Sequence, residues 1–217
     1  MGRSYCLYGA GGHARELAAQ IEMEYGSGSV VCFVDDTRPA GEIDGIPVVA
    51  FDLAIRRYKA AQWLAAIGNP SDRRRLSDRI VDGGGVEGRF ASARAYLSSS
   101  SSLSAGTQVF AGACVSNDVR LGRGVIINFN STVSHECQLG DFVTLSPGCT
   151  VAGRVRIGAG SFLGAGATVI NGAPGGWLDI GARATIAAGA VVTGPVQDGT
   201  TVAGVPARVI VTASASC

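Results

Sequence analysis

The chain has 217 residues, of which 47% are hydrophobic and 16% are charged, and its formal net charge is +1. This composition is sufficient for a packed core and argues against an intrinsically disordered chain. A charge balance so close to zero gives no global attraction to nucleic acid or to an anionic membrane, so neither is expected as a partner. Because the chain has only two histidines, His13 and His135, it cannot supply a three-histidine metal site, and no metal is expected.

The sequence also predicts a compartment. No apolar run reaches the ~18 residues needed to cross a bilayer, and the N-terminus lacks the apolar region and cleavage site of a signal peptide. We therefore expect a cytoplasmic protein. Its cysteines show no Cys-x-x-Cys spacing, and in a reducing compartment we interpret them as free thiols. The cysteines are Cys6, Cys32, Cys114, Cys137, Cys149 and Cys217.

Charged residues are unevenly distributed along the chain, since 24 of the 35 lie in residues 1–100. The serine run of residues 98–102 lies where the composition changes. We therefore predict two domains, residues 1–98 and residues 99–217.

The first domain is predicted to be a small Rossmann-like α/β domain, because strands that alternate with helices favour a parallel sheet. In chain order, the predicted elements are a strand over Tyr5–Tyr8, a helix with Leu17, Ile21 and Tyr25 on one face, a strand over Val30–Val34, a turn-rich stretch around residues 45–48, a strand over residues 65–68 and a helix over residues 72–81.

A glycine-rich turn, GAGGHA over residues 9–14, joins the first strand to the first helix. Backbone N–H groups at a helix N-terminus bind anions, and this turn nearly matches a dinucleotide-binding fingerprint. Asp35 ends the second strand, where a contact to a ribose or a base is expected. The alternative is a tight turn that only closes a small sheet. A dehydrogenase is not expected, because about 100 residues are too few for a full doubly wound sheet.

The second domain has an aliphatic residue at every sixth position. The twelve positions are Leu103, Val109, Val115, Leu121, Ile127, Val133, Leu139, Leu145, Val151, Ile157, Leu163 and Val169. The position four residues later is small or β-branched throughout. This pattern is typical of a hexapeptide-repeat β-helix, in which both positions point inward and three hexads complete one triangular coil. Cys137 and Cys149 fall on the inward small position and are not expected to be catalytic.

The register breaks after Val169. The next aliphatic anchors are Ile180 and Ile186, so residues 171–177 are predicted to loop out. The pattern returns at Val192 and ends with residues 202–210.

Two consecutive hexads, residues 127–132 and 133–138, depart from the repeat because they carry no glycine. They contain two asparagines, His135 and Glu136. A solvated polar face is the simpler alternative. This half of the chain, however, has only 11 charged residues, and its one histidine lies beside a carboxylate. We interpret His135 as functional, and Glu136 can orient its imidazole only if a corner places both side chains together.

The repeat, the spacing from Asn128 to His135 and Glu136, and the ending GVPAR (residues 204–208) resemble the left-handed β-helix acyltransferases. The motifs GAGGH (9–13), VDD (34–36) and AIGN (66–69) narrow the resemblance. With them the chain is similar to the family of sialic-acid O-acetyltransferases and bacillosamine and perosamine N-acetyltransferases, from about Ser4 to Ile210.

The resemblance implies an acetyl-CoA-dependent N-acetyltransferase that acts on a nucleotide-linked 4-amino-4,6-dideoxy sugar. His135 is expected to be the general base, because histidine exchanges protons near neutral pH, and no covalent acyl-enzyme is needed. A backbone N–H stabilises the oxyanion of such a reaction. The resemblance implies that Gly153 supplies this N–H and that Asn128 lies near the reacting amine.

The resemblance also implies a homotrimer with active sites between subunits. The remaining implied contacts are to the nucleotide sugar and to acetyl-CoA. Phosphates are expected near His13 and Arg15, and the base and ribose near Asp35 and Asp36. Arg208 stands where a lysine is usual, and residues 171–177 are further candidates for coenzyme contacts. The predicted substrate-binding residues are Gly11, Gly12, His13, Arg15, Asp35, Asp36 and Asn69, and the predicted acetyl-CoA-binding residues are Ser146, Gly153, Gly164, Pro206 and Arg208.

Three alternatives remain open. The same His135 chemistry serves O-acetylation of a sialic acid or a related sugar. A second hypothesis is a sugar-nucleotide-binding protein without turnover. The presence of His135, Asn128 and Glu136 argues against it. A metal enzyme resembling γ-carbonic anhydrases conflicts with the histidine count. The nucleobase, whether of a UDP-, dTDP- or GDP-linked sugar, does not follow from the sequence.

Overall fold

A computed structural model of the chain describes residues 3–210, so Cys217 lies outside the described residues. The N-terminal region is a six-stranded sheet with three helices. Its strands are β1 (Tyr5–Tyr8), β2 (Val30–Val34), β3 (Gly41–Ile43), β4 (Ile46–Val49), β5 (Gln62–Ala65) and β6 (Val86–Glu87), and its helices are α1 (Gly12–Tyr25), α2 (Phe51–Arg57) and α3 (Pro70–Asp82).

The strand order is β3-β4-β2-β1-β5-β6, and only β3 runs antiparallel to its neighbour. The predicted α/β region with a parallel sheet is therefore confirmed, as are β1, α1 and β2. The third strand was predicted three residues too late. The observed strand spans Gln62–Ala65, and the apolar residues that follow it form a loop. The hairpin β3–β4 and the short helix α2 were not predicted.

The rest of the described chain is a parallel β-helix with three faces, consistent with the predicted left-handed β-helix. Face 1 contains β7 (Phe90–Ala91), β10 (Gln108–Val109), β13 (Ile126–Ile127), β16 (Thr144–Leu145), β19 (Phe162–Leu163), β22 (Thr185–Ile186), β24 (Thr201–Ala203) and β25 (Arg208–Val209). Face 2 contains β8 (Tyr96–Leu97), β11 (Cys114–Val115), β14 (Thr132–Val133), β17 (Thr150–Val151), β20 (Thr168–Val169) and β23 (Val191–Val192). Face 3 contains β9 (Ser102–Leu103), β12 (Arg120–Leu121), β15 (Gln138–Leu139), β18 (Val155–Ile157) and β21 (Leu178–Ile180).

The six-residue pattern places its side chains as predicted. Every aliphatic anchor from Val109 to Val169 is buried, and so is each small residue four positions after the anchors Val109 to Leu163. Each strand pairs with the strand one coil later, as Gln108 pairs with Ile126. The first coil begins at Phe90, before the predicted division at residues 98 and 99, which itself stays a prediction.

The predicted loop over residues 171–177 is confirmed. In the coils before this loop, residues that pair between neighbouring coils are 18 positions apart in sequence, as are Thr144 and Phe162. Across it they lie 23 residues apart, as do Phe162 and Thr185, so the loop adds five residues to one coil. These residues project between β20 and β21, where faces 2 and 3 meet.

The N-terminal sheet packs against face 1. Phe90, Phe110 and Ile126 of the β-helix share a hydrophobic cluster with residues of β1, β2 and α1. Arg73 of α3 is fully buried and donates to the Thr144 hydroxyl on face 1. Face 1 is therefore covered within the chain from β7 to β16. None of the three helices in the described part of the chain has the length and apolar character that a bilayer crossing requires.

Candidate active site

His135 lies between β14 and β15, on the edge where faces 2 and 3 meet, which we call edge 2–3. Hydrogen bonds between successive coils fix this edge. The backbone N–H of Glu136 donates to the Asn117 carbonyl at 2.9 Å, and that of Arg154 donates to the His135 carbonyl at 3.0 Å. One coil further, the backbone N–H of Gly172 donates to the Gly153 carbonyl at 3.0 Å. The loop of residues 171–177 therefore begins directly beyond the histidine.

The His135 ring is held by its neighbour in sequence. Nδ1 of His135 lies 3.0 Å from Oε2 of Glu136, and both side chains are about half exposed, at 55% and 52%. Glu136 has a φ of 57°, in the left-handed region that non-glycine residues seldom adopt. This corner lets adjacent residues contact each other. Because a carboxylate accepts hydrogen bonds, a neutral His135 carries its proton on Nδ1 and keeps a lone pair on Nε2.

Gly153 lies directly against the histidine. A Cβ atom at this position would lie 2.5 Å from Cε1 and 2.6 Å from Nε2 of His135, closer than real Cβ contacts. The ring can therefore occupy its position only because residue 153 has no side chain. The structure brings three of the predicted site residues, His135, Glu136 and Gly153, into one cluster.

Asn128, Ser146 and Gly164 lie on a different edge, where faces 1 and 2 meet, which we call edge 1–2. Each follows a strand of face 1, one coil above the last, and the backbone N–H of Asn128 donates to the Leu145 carbonyl at 3.1 Å. The Asn128 side chain is largely buried, and its Oδ1 accepts from the Phe129 backbone at 2.7 Å. The predicted catalytic and coenzyme residues therefore form two columns, separated by face 2.

Pro206 and Arg208 lie at the far end of the β-helix, in the hairpin of β24 and β25. The Ala207 backbone N–H between them donates to the Val191 carbonyl of face 2 at 2.7 Å. This contact places the turn over edge 1–2, above Gly164. The Arg208 side chain is exposed, and its only hydrogen bond among the described residues is to the Ala207 carbonyl.

The N-terminal sheet has a crevice at the carboxyl ends of its parallel strands. Strand β1 lies between β2 and β5, so the turn after β1 and the loop after β5 diverge at a topological switch point, where α/β sheets bind ligands. A Cβ on Gly9 would lie 2.6 Å from the Ala66 carbonyl oxygen, so glycine is required there. Helix α1 starts after Gly11 without a side-chain cap, and the positions of Gly11 and Gly12 are open.

Asp35 and Asp36 line a cleft of about 340 Å³ at this crevice. Oδ1 of Asp35 accepts from the backbone and hydroxyl of Thr37, at 2.9 and 2.7 Å. Oδ2 of Asp36 accepts from the Tyr8 hydroxyl at 2.6 Å and from Arg79 at 2.5 Å. Burial raises the pKa of Asp36, but the hydrogen bonds from Tyr8, the backbone of α2 and Arg79 outweigh it and leave the pKa below its usual value.

Three other predicted substrate residues already have partners. Arg15 forms a bidentate pair with Asp44, at 2.8 and 3.1 Å. Oδ1 of Asn69 caps α3 by accepting from the Ser71 and Asp72 backbones, at 2.9 and 3.1 Å. Nε2 of His13 lies 2.9 Å from Oε1 of Gln108 on face 1. Asn69 thus has a structural explanation, which its position before Pro70 could have predicted.

Sequence reasoning missed two buried polar residues that join the N-terminal region to face 1. Gln108 contacts His13, and Arg73 donates to the backbone of Gly68, of Gly124 and of Phe142. Burial lowers the pKa of Arg73 to about 9, so it is still a cation at neutral pH. Their only signal in the sequence is a polar residue inside an apolar pattern.

The five cysteines within residues 3–210 do not contribute to the candidate site. The five in the described range are free. Burial raises the pKa of the Cys137 and Cys149 thiols to about 11, which disfavours the nucleophilic thiolate. Within residues 3–210, no three His, Cys, Asp or Glu side chains lie close enough together to hold a metal ion.

Two family models match the chain. The PglD N-terminal domain matches residues 5–80, and the bacterial transferase hexapeptide (six repeats) matches residues 136–171. A search of the curated proteins found no match.

Solved structures match nearly the whole chain. A variant of perosamine N-acetyltransferase from Caulobacter crescentus, in complex with CoA and GDP-perosamine, is 32% identical with a TM-score of 0.87, over 95% of this chain and 96% of that one. The acetyltransferase domain of PglB from Neisseria gonorrhoeae, in complex with acetyl coenzyme A, is 32% identical with a TM-score of 0.86, over 97% and 100%. WeeI from Acinetobacter baumannii is 27% identical with a TM-score of 0.90, over 96% and 100%.

Proposed function

The chain belongs to the family of hexapeptide-repeat sugar acetyltransferases and is an acyltransferase that uses acetyl-CoA, and we propose that it acetylates the amino group of a nucleotide-linked 4-amino-4,6-dideoxy sugar. The observation that carries this proposal is the cluster of His135, Glu136 and Gly153. In this cluster Glu136 holds Nδ1 of the His135 ring and the Gly153 backbone lies directly against the ring, which supports a general base with a backbone donor beside it.

In the proposed reaction His135 acts as general base. Glu136 accepts from Nδ1 of the ring, so Nε2 takes the proton from the attacking sugar amine. The amine nitrogen forms its bond to the thioester carbon, and the tetrahedral oxyanion accepts a hydrogen bond from the Gly153 backbone N–H. When the C–S bond breaks, the proton on Nε2 passes to the departing CoA sulfur. Charge and protons balance without a covalent acyl-enzyme.

The proposed nucleotide-sugar site is the crevice at the end of β1. The start of α1 has no capping side chain, and the backbone at Gly11 and Gly12 is open to an approaching phosphate. Asp35 lines the cleft beside it and supplies acceptors for a ribose or a base. Because Arg15, Asn69 and Asp35 already have partners within the chain, they rank below the open start of α1 as proposed substrate contacts.

We further propose that the complete site forms between neighbouring chains of a trimer. The nucleotide crevice belongs to the region that packs on the first coils of face 1, whereas His135 lies on edge 2–3, the edge opposite that face. Asn128, Ser146 and Gly164 lie on edge 1–2. A second chain that brings its edge 2–3 beside this edge 1–2 would unite the predicted groups, with acetyl-CoA along the groove between them.

The experiment is a mass-spectrometric assay. Purified protein and acetyl-CoA are incubated with UDP-, dTDP- and GDP-linked 4-amino-4,6-dideoxy sugars, and the gain of one acetyl group is measured together with release of free CoA. We expect one nucleotide series to be acetylated. The variant His135→Ala should lose at least about 100-fold in turnover while it still binds CoA, because it lacks only the base.

No acetylation of any amino sugar and no release of CoA would contradict the proposal. Sialic acids are then tested in the same assay. Acetylation of their hydroxyls would assign an O-acetyltransferase, and binding without turnover would assign a sugar-nucleotide-binding protein. The N-acetyl proposal is favoured at the outset because a structural match over 95% of the chain is named a perosamine N-acetyltransferase.

A further inference from the structure

His13, in the first turn of α1, contacts the β-helix through a buried glutamine. Nε2 of the His13 ring lies 2.9 Å from Oε1 of Gln108, which is fully buried in β10 on face 1. The ring also packs against Phe110, with 5.2 Å between ring centres. His13, which follows the glycine-rich turn, is therefore held in place by two residues of the β-helix.

The orientation of the Gln108 amide is determined by its second contact. Nε2 of Gln108 lies 2.9 Å from the backbone carbonyl oxygen of Ala65, the last residue of β5. Because a carbonyl oxygen only accepts hydrogen bonds, the amide NH₂ must face Ala65, and the amide oxygen must face His13. That oxygen also only accepts, so the hydrogen between the two side chains is on Nε2 of His13.

The surroundings of His13 favour its neutral form. Burial lowers the pKa of His13 from its usual value, and the nearby cation of Arg73 acts in the same direction. The Gln108 contact opposes them and is outweighed. With its proton on Nε2, a neutral ring has a lone pair on Nδ1, which makes no hydrogen bond to another described residue.

We propose that Gln108 is a positioning residue that holds His13 as the neutral Nε2–H tautomer, so that Nδ1 accepts a hydrogen bond from a hydroxyl or amine of the sugar nucleotide. This inference rests on the proposed function, because it takes the crevice at α1 as the nucleotide-sugar site. It also changes the expected role of His13. A neutral ring nitrogen with a lone pair repels phosphate oxygens, so His13 binds a donor group of the substrate and not the diphosphate.

The tautomer can be measured directly, because the chain has only two histidines. Long-range ¹H–¹⁵N NMR spectra of the ¹⁵N-histidine-labelled full chain separate protonated from unprotonated ring nitrogens, and His135→Ala assigns the two rings. We expect His13 to have an unprotonated Nδ1 and a protonated Nε2 at pH 7.5. The variant Gln108→Met should convert it to a mixture of tautomers. A protonated Nδ1 in the unmodified chain, or a tautomer unaffected by Gln108→Met, would overturn the proposal.

Kinetics test whether the tautomer serves substrate binding. Gln108→Met should raise the KM for the acetylated sugar nucleotide about tenfold, the value of one lost hydrogen bond, and leave the KM for acetyl-CoA unchanged. The exposed Gln197→Met is the matched control and should change neither constant. Gln108→Glu, which keeps an oxygen toward His13, should keep the Nε2–H and part of the affinity. Equal KM values in Gln108→Met and the control would refute the substrate contact.

The two proposals fail separately. If no amino sugar is acetylated, the proposed function is wrong, whereas the NMR spectrum still reports the tautomer of His13. If the sugar is acetylated but His13 of the unmodified chain is a mixture of tautomers, only the role of Gln108 is refuted. Melting temperature and trimer size identify a Gln108→Met preparation that has not folded, and in that case Gln108→Glu alone decides the kinetic test.

Discussion

The two histidines have opposite surroundings. His135 is half exposed beside a carboxylate, whereas His13 is held by a buried amide and has a lowered pKa. The sequence identified His135 because it interrupts a glycine-containing repeat. It did not predict the contact of His13 with Gln108, which joins residues 95 positions apart. No local pattern encodes such a contact, because it depends on how the N-terminal sheet packs on face 1.

The close approach of Gly153 to His135 leads to a prediction about turnover. In Gly153→Ala, the new methyl group would lie 2.5 Å from the ring, so the imidazole must move away from the reacting centre. We expect kcat to fall about 100-fold, the scale of a lost general base, with little change in melting temperature because the half-exposed ring can move into solvent. Steady-state kinetics and thermal unfolding measure both quantities.

Gly194→Ala is the matched control for this substitution. A Cβ at Gly194 would meet no atom within 4 Å, and its φ is not in the left-handed region. Its kcat should equal that of the unmodified chain. If Gly153→Ala retained full turnover, His135 would not need the position it occupies here, and its assignment as base would be lost.

At the scale of elements, α3 connects the crevice to the β-helix. Asn69 caps its start, and Arg73, one turn later, donates to the Gly68 carbonyl on one side and to the Thr144 hydroxyl on the other. The Thr144 hydroxyl in turn donates to the Gly68 carbonyl at 2.9 Å. The loop after β5 is therefore fixed relative to face 1.

Arg73→Met should lower the free energy of unfolding by about 3 kcal/mol, since several buried carbonyls lose a charged donor. It should also raise the KM for the sugar nucleotide, because the loop at Gly68 is released. Denaturant unfolding and steady-state kinetics are the measurements. Arg75→Met, on the exposed side of the same helix, is the control for stability and should change it by less than about 0.5 kcal/mol. Equal stability of the two variants would contradict this role for Arg73.

The elements differ in how well the sequence predicted them. The β-helix repeats one pattern many times, so each coil supports the assignment of the next. The hairpin β3–β4 occurs once, although Asp44 and Gly45, both with positive φ, form a dipeptide typical of such turns. Helix α2 has seven residues and buries only Phe51 and Ala54, which is too little for a recognisable apolar face.

At the scale of the whole molecule, the predicted site is divided between two edges of one chain. The sequence already contained this information. Asn128 and His135 are seven residues apart, little more than one hexad, and successive hexads lie on successive faces. The sequence could not show which edges of neighbouring chains meet, because docking between chains leaves no periodic pattern.

The proposed trimer, with each site shared between two chains, predicts complementation. His135→Ala and Asn128→Ala should each be nearly inactive as homotrimers. When the two are co-expressed, about a quarter of the sites should combine an intact His135 with an intact Asn128 of the neighbouring chain, by random assembly of a three-fold oligomer. Turnover of the purified mixed trimers is the measurement. Co-expression of two differently tagged His135→Ala chains is the control, and activity no higher than this control would argue for a site within one chain.

The hairpin of β24 and β25 has a further consequence. Every coil below it offers its free N–H and C=O groups to the next coil, and an open last coil would offer them to a second molecule, as in a growing fibril. Strand β25 runs antiparallel to β24 and, among the described residues, occupies the outermost place on face 1. An incoming coil would meet a strand of the wrong direction. The segment expected to contact the coenzyme therefore also caps the β-helix on face 1, which disfavours end-to-end stacking of further coils from a second molecule.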